Sequence, residues 1–257
     1  MTVKLGTDIL KVEVPPQLRV RRMTGMTWFD QAIGGGFTPS TVMMVTGKPG
    51  AGKSTLVRQL ADSVTRQGHI AVYNTGEESL YQVKMRVEKM DLRHGFKSGE
   101  EGYAGKLLAF AREVQGSHPR HQVFLFQDSL QKLDDGHYKN GTTSNTPVRC
   151  CELLKDWAKE TYGIVVFIGQ VTKSGQFAGK NEIKHAVDAH LELLEDEDRD
   201  SPTFGSKVMT VSKNRFGPDG IAVPYRLDEK GLHAGEEIRT ISGVRRATRP
   251  DPEEAAG

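Results

Sequence analysis

The stretch GKPGAGKST, residues 47–55, decides the fold of this chain. It fits the pattern G-x-x-x-x-G-K-[ST] and stands between an apolar run typical of a strand, TVMMVTG (41–47), and a segment with helical spacing, KSTLVRQLADSV (53–64). In a strand, loop and helix joined in this order, successive backbone N–H groups and the positive end of the helix face one point. The sequence therefore predicts a loop that binds a nucleoside triphosphate, in preference to a Gly-rich turn without a ligand.

The residues of this loop have separate predicted tasks. The glycines allow the backbone to turn, Lys53 is expected to reach the β and γ phosphates of ATP, and Ser54 is expected to hold Mg²⁺. ATP and Mg²⁺ are thus the predicted cofactors. The residues expected to contact the nucleotide are Gly47, Lys48, Pro49, Gly50, Ala51, Gly52, Lys53, Ser54 and Thr55.

The rest of the chain alternates between strand and helix patterns. Further strands are predicted at 69–75, 122–128 and 163–170, and helices at 79–90, 105–114 and 147–160. Two more strands, 189–195 and 207–213, are separated by the acidic turn EDEDRD (195–200), which is most simply a solvated hairpin loop. The pattern predicts an α/β fold with a mostly parallel sheet, helices on both faces and antiparallel strands at the C-terminal end.

Composition places limits on the setting of the protein. The chain has 257 residues and a formal net charge of +2, so any contact with nucleic acid has to come from local loops. Its two cysteines, Cys150 and Cys151, are adjacent and cannot form a zinc cluster alone, and no apolar stretch approaches the roughly 20 residues of a membrane span. We expect a cytoplasmic protein, in a bacterial cell or a phage-infected host, with no membrane partner.

Three segments are expected along the chain. Residues 1–22 are polar and read as an arm or linker, 23–235 as the ATPase domain, and 236–257 as a tail that is disordered at its end.

Carboxylates after two strands are candidates for the chemistry of hydrolysis. Asp128 ends the strand at 122–128 and is predicted to be the second metal ligand, although Gln127 beside it is an irregularity in an apolar strand. Glu77 and Glu78 follow the strand at 69–75 and would lie near the γ phosphate, since ligands bind at the carboxyl ends of parallel strands. We favour Glu77 as the general base with Glu78 assisting. The alternative is that both simply favour the start of the next helix.

Several motifs taken together resemble the ATPase core of the bacterial RadA/Sms family of RecA-like recombination proteins. They span about residues 21–217, and KNRFG (213–217) is the most specific of them; the others are RRMTGMTWFDQAIGGGF (21–37), GKPGAGKST, NTGEES (74–79) with YQVKMR (81–86), DSLQ (128–131) and GQVTKSGQFAGKNEIKHAVD (169–188). The resemblance implies a RecA-like core, Mg-ATP bound between subunits of a homo-oligomer, either a hexameric ring or a filament, and work on single-stranded DNA in recombination or branch migration.

The resemblance also implies roles for individual residues. Lys213 and Arg215 would serve the ATP of the neighbouring subunit, the alternative being a solvated basic turn, and their spacing on a strand puts both on one side. Gln170 would sense the γ phosphate, against a merely buried amide, although RadA-like sequences tend to carry His there. Arg86 would lie against the adenine, or else form an ion pair on the helix surface.

Two loops are candidates for contact with DNA. In the segment 172–185, the resemblance implies that Lys173, Lys180 and Lys184 meet phosphates and that Phe177 stacks on a base, unless the loop is a plain lid. The loop at 132–149 offers Tyr138, Lys139 and Arg149, but its polar character fits many surfaces.

The chain departs from the RadA pattern in lacking the cysteines of an N-terminal zinc ribbon and the length for a Lon-like domain. A phage-type recombinase is therefore one expected origin. Two other functions are weighed beside a DNA-stimulated ATPase motor: a KaiC-like regulatory ATPase that acts on a protein partner, and a DnaB-type replicative helicase.

Overall fold

The computed structural model describes residues 6–139, 141–170, 181–195, 204–235 and 239–240. Six α-helices are described: α1 (Thr27–Ala32), α2 (Lys53–Arg66), α3 (Leu80–Lys89), α4 (Ala104–Ser117), α5 (Thr146–Thr161) and α6 (Asn181–Ala186). The strands are β1 (Val42–Gly47), β2 (Ile70–Thr75), β3 (Lys97–Gly99), β4 (Val123–Asp128), β5 (Ile164–Ile168), β6 (Ala189–Glu195), β7 (Lys207–Asn214), β8 (Ile221–Asp228), β9 (Gly231–Ala234) and β10 (Arg239–Thr240).

The described strands form one mixed sheet in the order β10-β8-β7-β6-β1-β5-β4-β2-β3, with β9 paired to β8. From β6 to β3 every neighbouring pair is parallel, whereas β7, β8, β9 and β10 pair in antiparallel fashion. The predicted α/β class, a mostly parallel sheet that finishes in antiparallel strands, is confirmed.

Helices cover both faces of the sheet because the strands are apolar on both sides. Met43 and Val45 of β1 pack in one cluster with residues of α1 and α2, whereas Val42 and Met44 pack in the other cluster with residues of α4 and α5. Burying one such side chain fully stabilises the fold by about 1.5–3 kcal/mol. The ends of the strands that these clusters bury carry the candidate site.

Four strands were not predicted. The short β3 has the sequence KSG, which carries no apolar pattern, and the predicted strands ended at Lys213, before β8, β9 and β10. In β8, Pro224 interrupts the pattern that a paired strand usually shows. The segment 172–185 was expected to be a loop throughout, but its last part begins the helix α6.

The described residues before α1 include two short 3-10 turns, Ile9–Lys11 and Pro16–Arg19, and Arg22 forms an antiparallel bridge with Phe37. None of the helices in the described ranges is both long and apolar enough to span a membrane.

Candidate nucleotide site

The predicted phosphate loop connects β1 directly to α2, as expected. Gly50 and Gly52 adopt positive φ angles of 79° and 97°, a backbone conformation that side chains disfavour. A Cβ at Gly47 would lie 2.5 Å from the carbonyl oxygen of Leu193, so the end of β1 has no room for a side chain. No side chain of the described residues caps α2 at Gly52, and its first N–H groups are free to bind an anion.

Lys53 lies over the loop. Its Nζ donates to the carbonyl oxygens of Gly47 at 2.8 Å and Lys48 at 3.2 Å. Burial lowers the pKa of Lys53, and the nearby carboxylates of Asp128 and Glu77 oppose that shift. The ammonium group is therefore close to both acids, in a cleft of about 850 Å³ that opens around the loop.

The two predicted metal ligands meet. Asp128 ends β4, is only 4% exposed, and its carboxylate shares a side-chain hydrogen bond with Ser54. Burial raises the pKa of Asp128, while the hydrogen bonds from Ser54 and Tyr73 oppose the rise. A hydroxyl and a carboxylate are oxygen ligands of the kind that Mg²⁺ prefers, so the residues present fit this ion.

Glu77 and Gln170 also come together in the cleft. Glu77 lies after β2 and Gln170 after β5, and the Nε2 of Gln170 donates to Oε1 of Glu77 at 2.6 Å. Ser129 Oγ donates to the same Glu77 oxygen at 2.7 Å. The carboxylate is thus oriented by two side chains that follow the ends of two other strands, β4 and β5.

Glu78 has a different environment from Glu77. Although it also lines the cleft, its carboxylate forms a salt bridge with Arg58, which is 3% exposed on α2. Arg58 Nε in turn donates to the hydroxyl of Tyr73 at 3.2 Å, and Tyr73 donates to Asp128 Oδ2 at 3.0 Å.

The irregular Gln127 is explained by its partners. It is fully buried, its Oε1 accepts from Asn74 Nδ2 at 2.8 Å, and its Nε2 donates to the carbonyl oxygen of Ser129 at 2.9 Å. The amide therefore links β4 to β2 and to the residue that follows Asp128.

One rim of the cleft is formed by α3 and the opposite rim by the turn after β8. Arg86 is exposed there together with Lys89, and Lys89 Nζ lies 3.0 Å from the carboxylate of Glu229 across the opening. Arg86 is thus at the mouth of the cleft, where the base of a nucleotide could lie.

Lys213 and Arg215 are not among the described residues that line this cleft. Lys213 Nζ and the guanidinium of Arg215 both donate to the carbonyl oxygen of His185, at 3.0 and 3.2 Å, so the two cations lie side by side. Arg215 also contacts Asp188 Oδ1 at 3.2 Å, and its side chain is half exposed. Burial, and then the charge of Arg215, lower the pKa of Lys213.

The end of β7 and the turn that follows it differ slightly from the expectation. β7 ends at Asn214, so Arg215 belongs to the turn and not to the strand. A Cβ at Gly217 would lie 2.5 Å from the carbonyl oxygen of Ile33, which explains why the turn needs glycine there.

Most of the predicted DNA-contacting loop, with Lys173, Phe177 and Lys180, lies outside the described residues. Lys184 is on α6, and its backbone carbonyl accepts from Lys213 Nζ at 2.9 Å. In the other candidate loop, Arg149 pairs with Asp135 and its guanidinium lies 5.4 Å from the ring centre of Tyr138.

Sequence reasoning missed Arg58, Tyr73 and Ser129. An arginine between Val57 and Leu60 on the apolar face of α2 was a usable signal for Arg58, since a buried cation needs a partner. Tyr73 and Ser129 carried no comparable signal in the sequence.

The sheet order, the phosphate loop and the acids at neighbouring strand ends define a RecA-like P-loop ATPase domain. A solved DnaB-like replicative helicase shares this fold with a TM-score of 0.71 at 14% identity, over 83% of this chain and 61% of that one. A profile of the KaiC ATPase family matches residues 22–102.

Within this class, the chain is similar to the bacterial DNA repair proteins named RadA, as its motifs indicated. It is 32% identical to RadA of Escherichia coli over 88% of this chain and 46% of the relative. The RadA proteins of Haemophilus influenzae and Brucella abortus are 31% and 30% identical over 90% and 82% of this chain, and over 48% and 44% of their own lengths. The chain thus spans about half the length of these relatives.

Proposed function

We propose that this protein is an oligomeric, Mg-ATP-dependent motor or recombinase that binds single-stranded DNA and acts in recombination or repair, by strand exchange or branch migration. The observation that carries the proposal is a division of the site. The cleft gathers Lys53, Ser54, Glu77, Asp128 and Gln170, whereas the paired cations Lys213 and Arg215 are held outside it.

In this proposal the chain binds ATP with its own loop. The N–H groups of 48–54 and the Lys53 ammonium hold the phosphates, and Ser54 and Asp128 hold Mg²⁺. Arg86 lies beside the adenine of the nucleotide. Bound Mg²⁺ would neutralise charge on the phosphates.

Glu77 then takes a proton from the attacking water, and Gln170 contacts the γ phosphate or the water through its amide. The hydrogen bonds from Ser129 and Gln170 support this role, since they fix the direction of the carboxylate. Glu78, paired with Arg58, is a less available base.

The neighbouring subunit completes the site. Lys213 and Arg215 are adjacent and outside the cleft of their own chain, so in a homo-oligomer, either a hexameric ring or a filament, they can reach the γ phosphate of the next subunit. A cation supplied in trans to a phosphoryl transfer accelerates it by about 10³–10⁵-fold. Hydrolysis would therefore depend on assembly.

The proposed DNA contacts are Lys173, Phe177, Lys180 and Lys184. They follow Gln170 in the chain, so a change at the γ phosphate could alter the grip on DNA. The similarity to proteins named for DNA repair supports this part of the proposal. The proposed setting is the cytoplasm of a bacterium or of a phage-infected host.

The test is the steady-state rate of ATP hydrolysis over a range of protein concentrations, with and without a poly-dT oligonucleotide. The rate per subunit should rise steeply with protein concentration and again with DNA. Lys53→Ala protein, purified in parallel, gives the background from contaminating ATPases. A rate per subunit that stays constant down to concentrations at which light scattering shows monomers would contradict the shared site.

A KaiC-like regulatory ATPase that acts on a protein partner is the second candidate, because the matching family profile covers the phosphate loop and both glutamates. It predicts the same dependence on protein concentration but no response to DNA. The same titration therefore separates the two functions.

A further inference from the structure

Behind the proposed Mg²⁺ ligands lies a continuous row of polar side chains to which the proposed function gives no task. Tyr73, on β2, donates through its hydroxyl to Asp128 Oδ2 at 3.0 Å and accepts from Arg58 Nε at 3.2 Å. The Arg58 guanidinium, on α2, forms a salt bridge with Glu78 at its other end. Tyr73 is fully buried and Arg58 is 3% exposed, so water does not compete for the two hydrogen bonds of the Tyr73 hydroxyl.

The direction of each bond in this row is fixed by the chemistry of the groups. A guanidinium can only donate, and a phenol has one proton. Because Arg58 supplies the bond that the Tyr73 oxygen accepts, the Tyr73 proton is left to point at Asp128. A phenol, whose ordinary pKa is about 10, keeps this proton at neutral pH.

We propose that Tyr73 is a positioning residue that orients the Asp128 carboxylate for Mg²⁺, and that Glu78 anchors the row through Arg58. This inference rests on the proposed function, since it concerns the same Mg-ATP site. Groups that hydrogen-bond to a metal ligand fix its orientation, and their loss typically lowers metal affinity or activity by about 10–100-fold.

The proposal also explains the position of Glu78. A guanidinium buried without a partner is costly, and Glu78 supplies its counter-charge. Glu77 and Glu78 are neighbours in sequence, but in this arrangement only Glu77 is available to the attacking water.

The experiment measures the affinity for a fluorescent ADP analogue twice, once with saturating Mg²⁺ and once with EDTA. For the wild-type protein, the ratio of the two affinities reports how much Mg²⁺ contributes. Tyr73→Phe removes the hydrogen bond to Asp128 and the one accepted from Arg58, and neither bond is made to the loop that would hold the phosphates. It should therefore lower that ratio by about tenfold and leave the affinity in EDTA unchanged.

Tyr225→Phe is the matched control. The Tyr225 hydroxyl is also buried at the site but donates to the carbonyl oxygen of Ala51 in the phosphate loop, at 2.7 Å. Its loss should act on nucleotide binding in the same way with and without Mg²⁺, so the ratio should stay at the wild-type value.

An unchanged ratio in Tyr73→Phe would overturn the inference, and so would an equal fall of both affinities, which indicates a general loosening of the site. A wild-type protein whose nucleotide binding gains nothing from Mg²⁺ would instead overturn the proposed function.

Glu78→Gln tests the other end of the row and also serves if Tyr73→Phe does not fold, since Glu78 is partly exposed. The ratio should fall, by less than in Tyr73→Phe. A normal ratio combined with a lower kcat at saturating Mg²⁺ would show that Glu78 assists the base, against the inference.

Discussion

The side-chain amide of Gln170 donates to the carboxylate of Glu77 over 2.6 Å, although 93 positions separate the two residues in the chain. One residue follows β5 and the other follows β2, and β4 lies between these strands. The proposed general base is therefore held by the proposed γ-phosphate sensor. A ligand that accepts a hydrogen bond from the Gln170 amide has to share or displace its contact with Glu77. The proposed general base would therefore respond to which nucleotide is bound.

Glu77→Gln should reduce ATP turnover by about 10²–10⁴-fold, the usual contribution of a general base, with little loss of ATP affinity. The amide keeps the shape of the carboxylate but cannot take a proton. Steady-state kcat and the binding of a fluorescent ATP analogue provide the measurement. Glu88→Gln, at an exposed carboxylate on α3 that pairs with Lys84, is the matched control. Turnover near the wild-type rate in Glu77→Gln would remove Glu77 from the mechanism.

Lys53→Ala should abolish ATP binding or turnover, because a hydrogen bond to a charged phosphate typically contributes about 1.5–3 kcal/mol and Lys53 lies at the centre of the loop. Equilibrium binding of labelled ATP tests this directly. Lys106→Ala, an exposed lysine on α4, controls for the loss of one positive charge. Normal affinity and rate in Lys53→Ala would overturn the assignment of the loop.

Arg215→Ala should bind ATP almost normally but lose turnover, since its side chain lies outside the cleft of its own chain. Mixing it with Glu77→Ala should restore part of the activity, because some mixed interfaces then combine an intact Glu77 with an intact Arg215. Arg226→Ala removes a more exposed arginine, on β8, and should not behave in this way. If both variants assemble but no mixing ratio restores activity, the role in trans is wrong.

Lys173→Ala and Lys180→Ala should each weaken binding to single-stranded DNA and reduce the salt dependence of that binding. Each lost phosphate contact should lower the slope of log K against log salt by about 0.7. Fluorescence anisotropy with a labelled oligonucleotide at several salt concentrations gives the slope. Lys159→Ala, at an exposed position of α5, is the control. Equal slopes in all three variants and the wild type would show that neither Lys173 nor Lys180 contacts a DNA phosphate.

Cys150 and Cys151 should resist alkylation in the folded protein. Burial raises the pKa of each thiol to about 12, so the reactive thiolate is scarce at pH 8. We expect iodoacetamide to react at least about 10³-fold more slowly than in the denatured chain, where the thiol pKa is near 8.5. Mass spectrometry of labelled peptides measures the rates, and rapid labelling of the native protein would contradict the burial of these two side chains.

The same two thiols predict a dependence of stability on pH. Their pKa is higher in the folded state than in the unfolded state, so their contribution to stability is complete below about pH 8.5 and is lost as the pH rises towards 12. Denaturant midpoints measured between pH 8 and pH 11 should therefore fall. A smaller fall in Cys150→Ala would identify this thiol as part of the cause.

The sequence predicted most of the parallel half of the sheet, because β1, β2, β4 and β5 are apolar runs bounded by turn residues or helical patterns. It predicted less of the antiparallel half. Pro224 obscured β8, and β3 and β10 are too short to carry a pattern of their own. These strands are defined by pairing with a neighbour, which is not a local property of the chain.

The same distinction holds at the site. The sequence by itself determined the phosphate loop, the acid at Asp128 and the pair of glutamates after β2, since glycine spacing and strand ends are local features. Only the tertiary structure distinguished the two glutamates. Glu77 accepts hydrogen bonds from Gln170 and Ser129, whereas Glu78 forms a salt bridge with Arg58. It likewise joined Tyr73 to Asp128, 55 positions away, and held Arg215 outside the cleft of its own chain. Such contacts depend on how helices and strands pack, because burial obliges each polar group to find a partner wherever the fold places one.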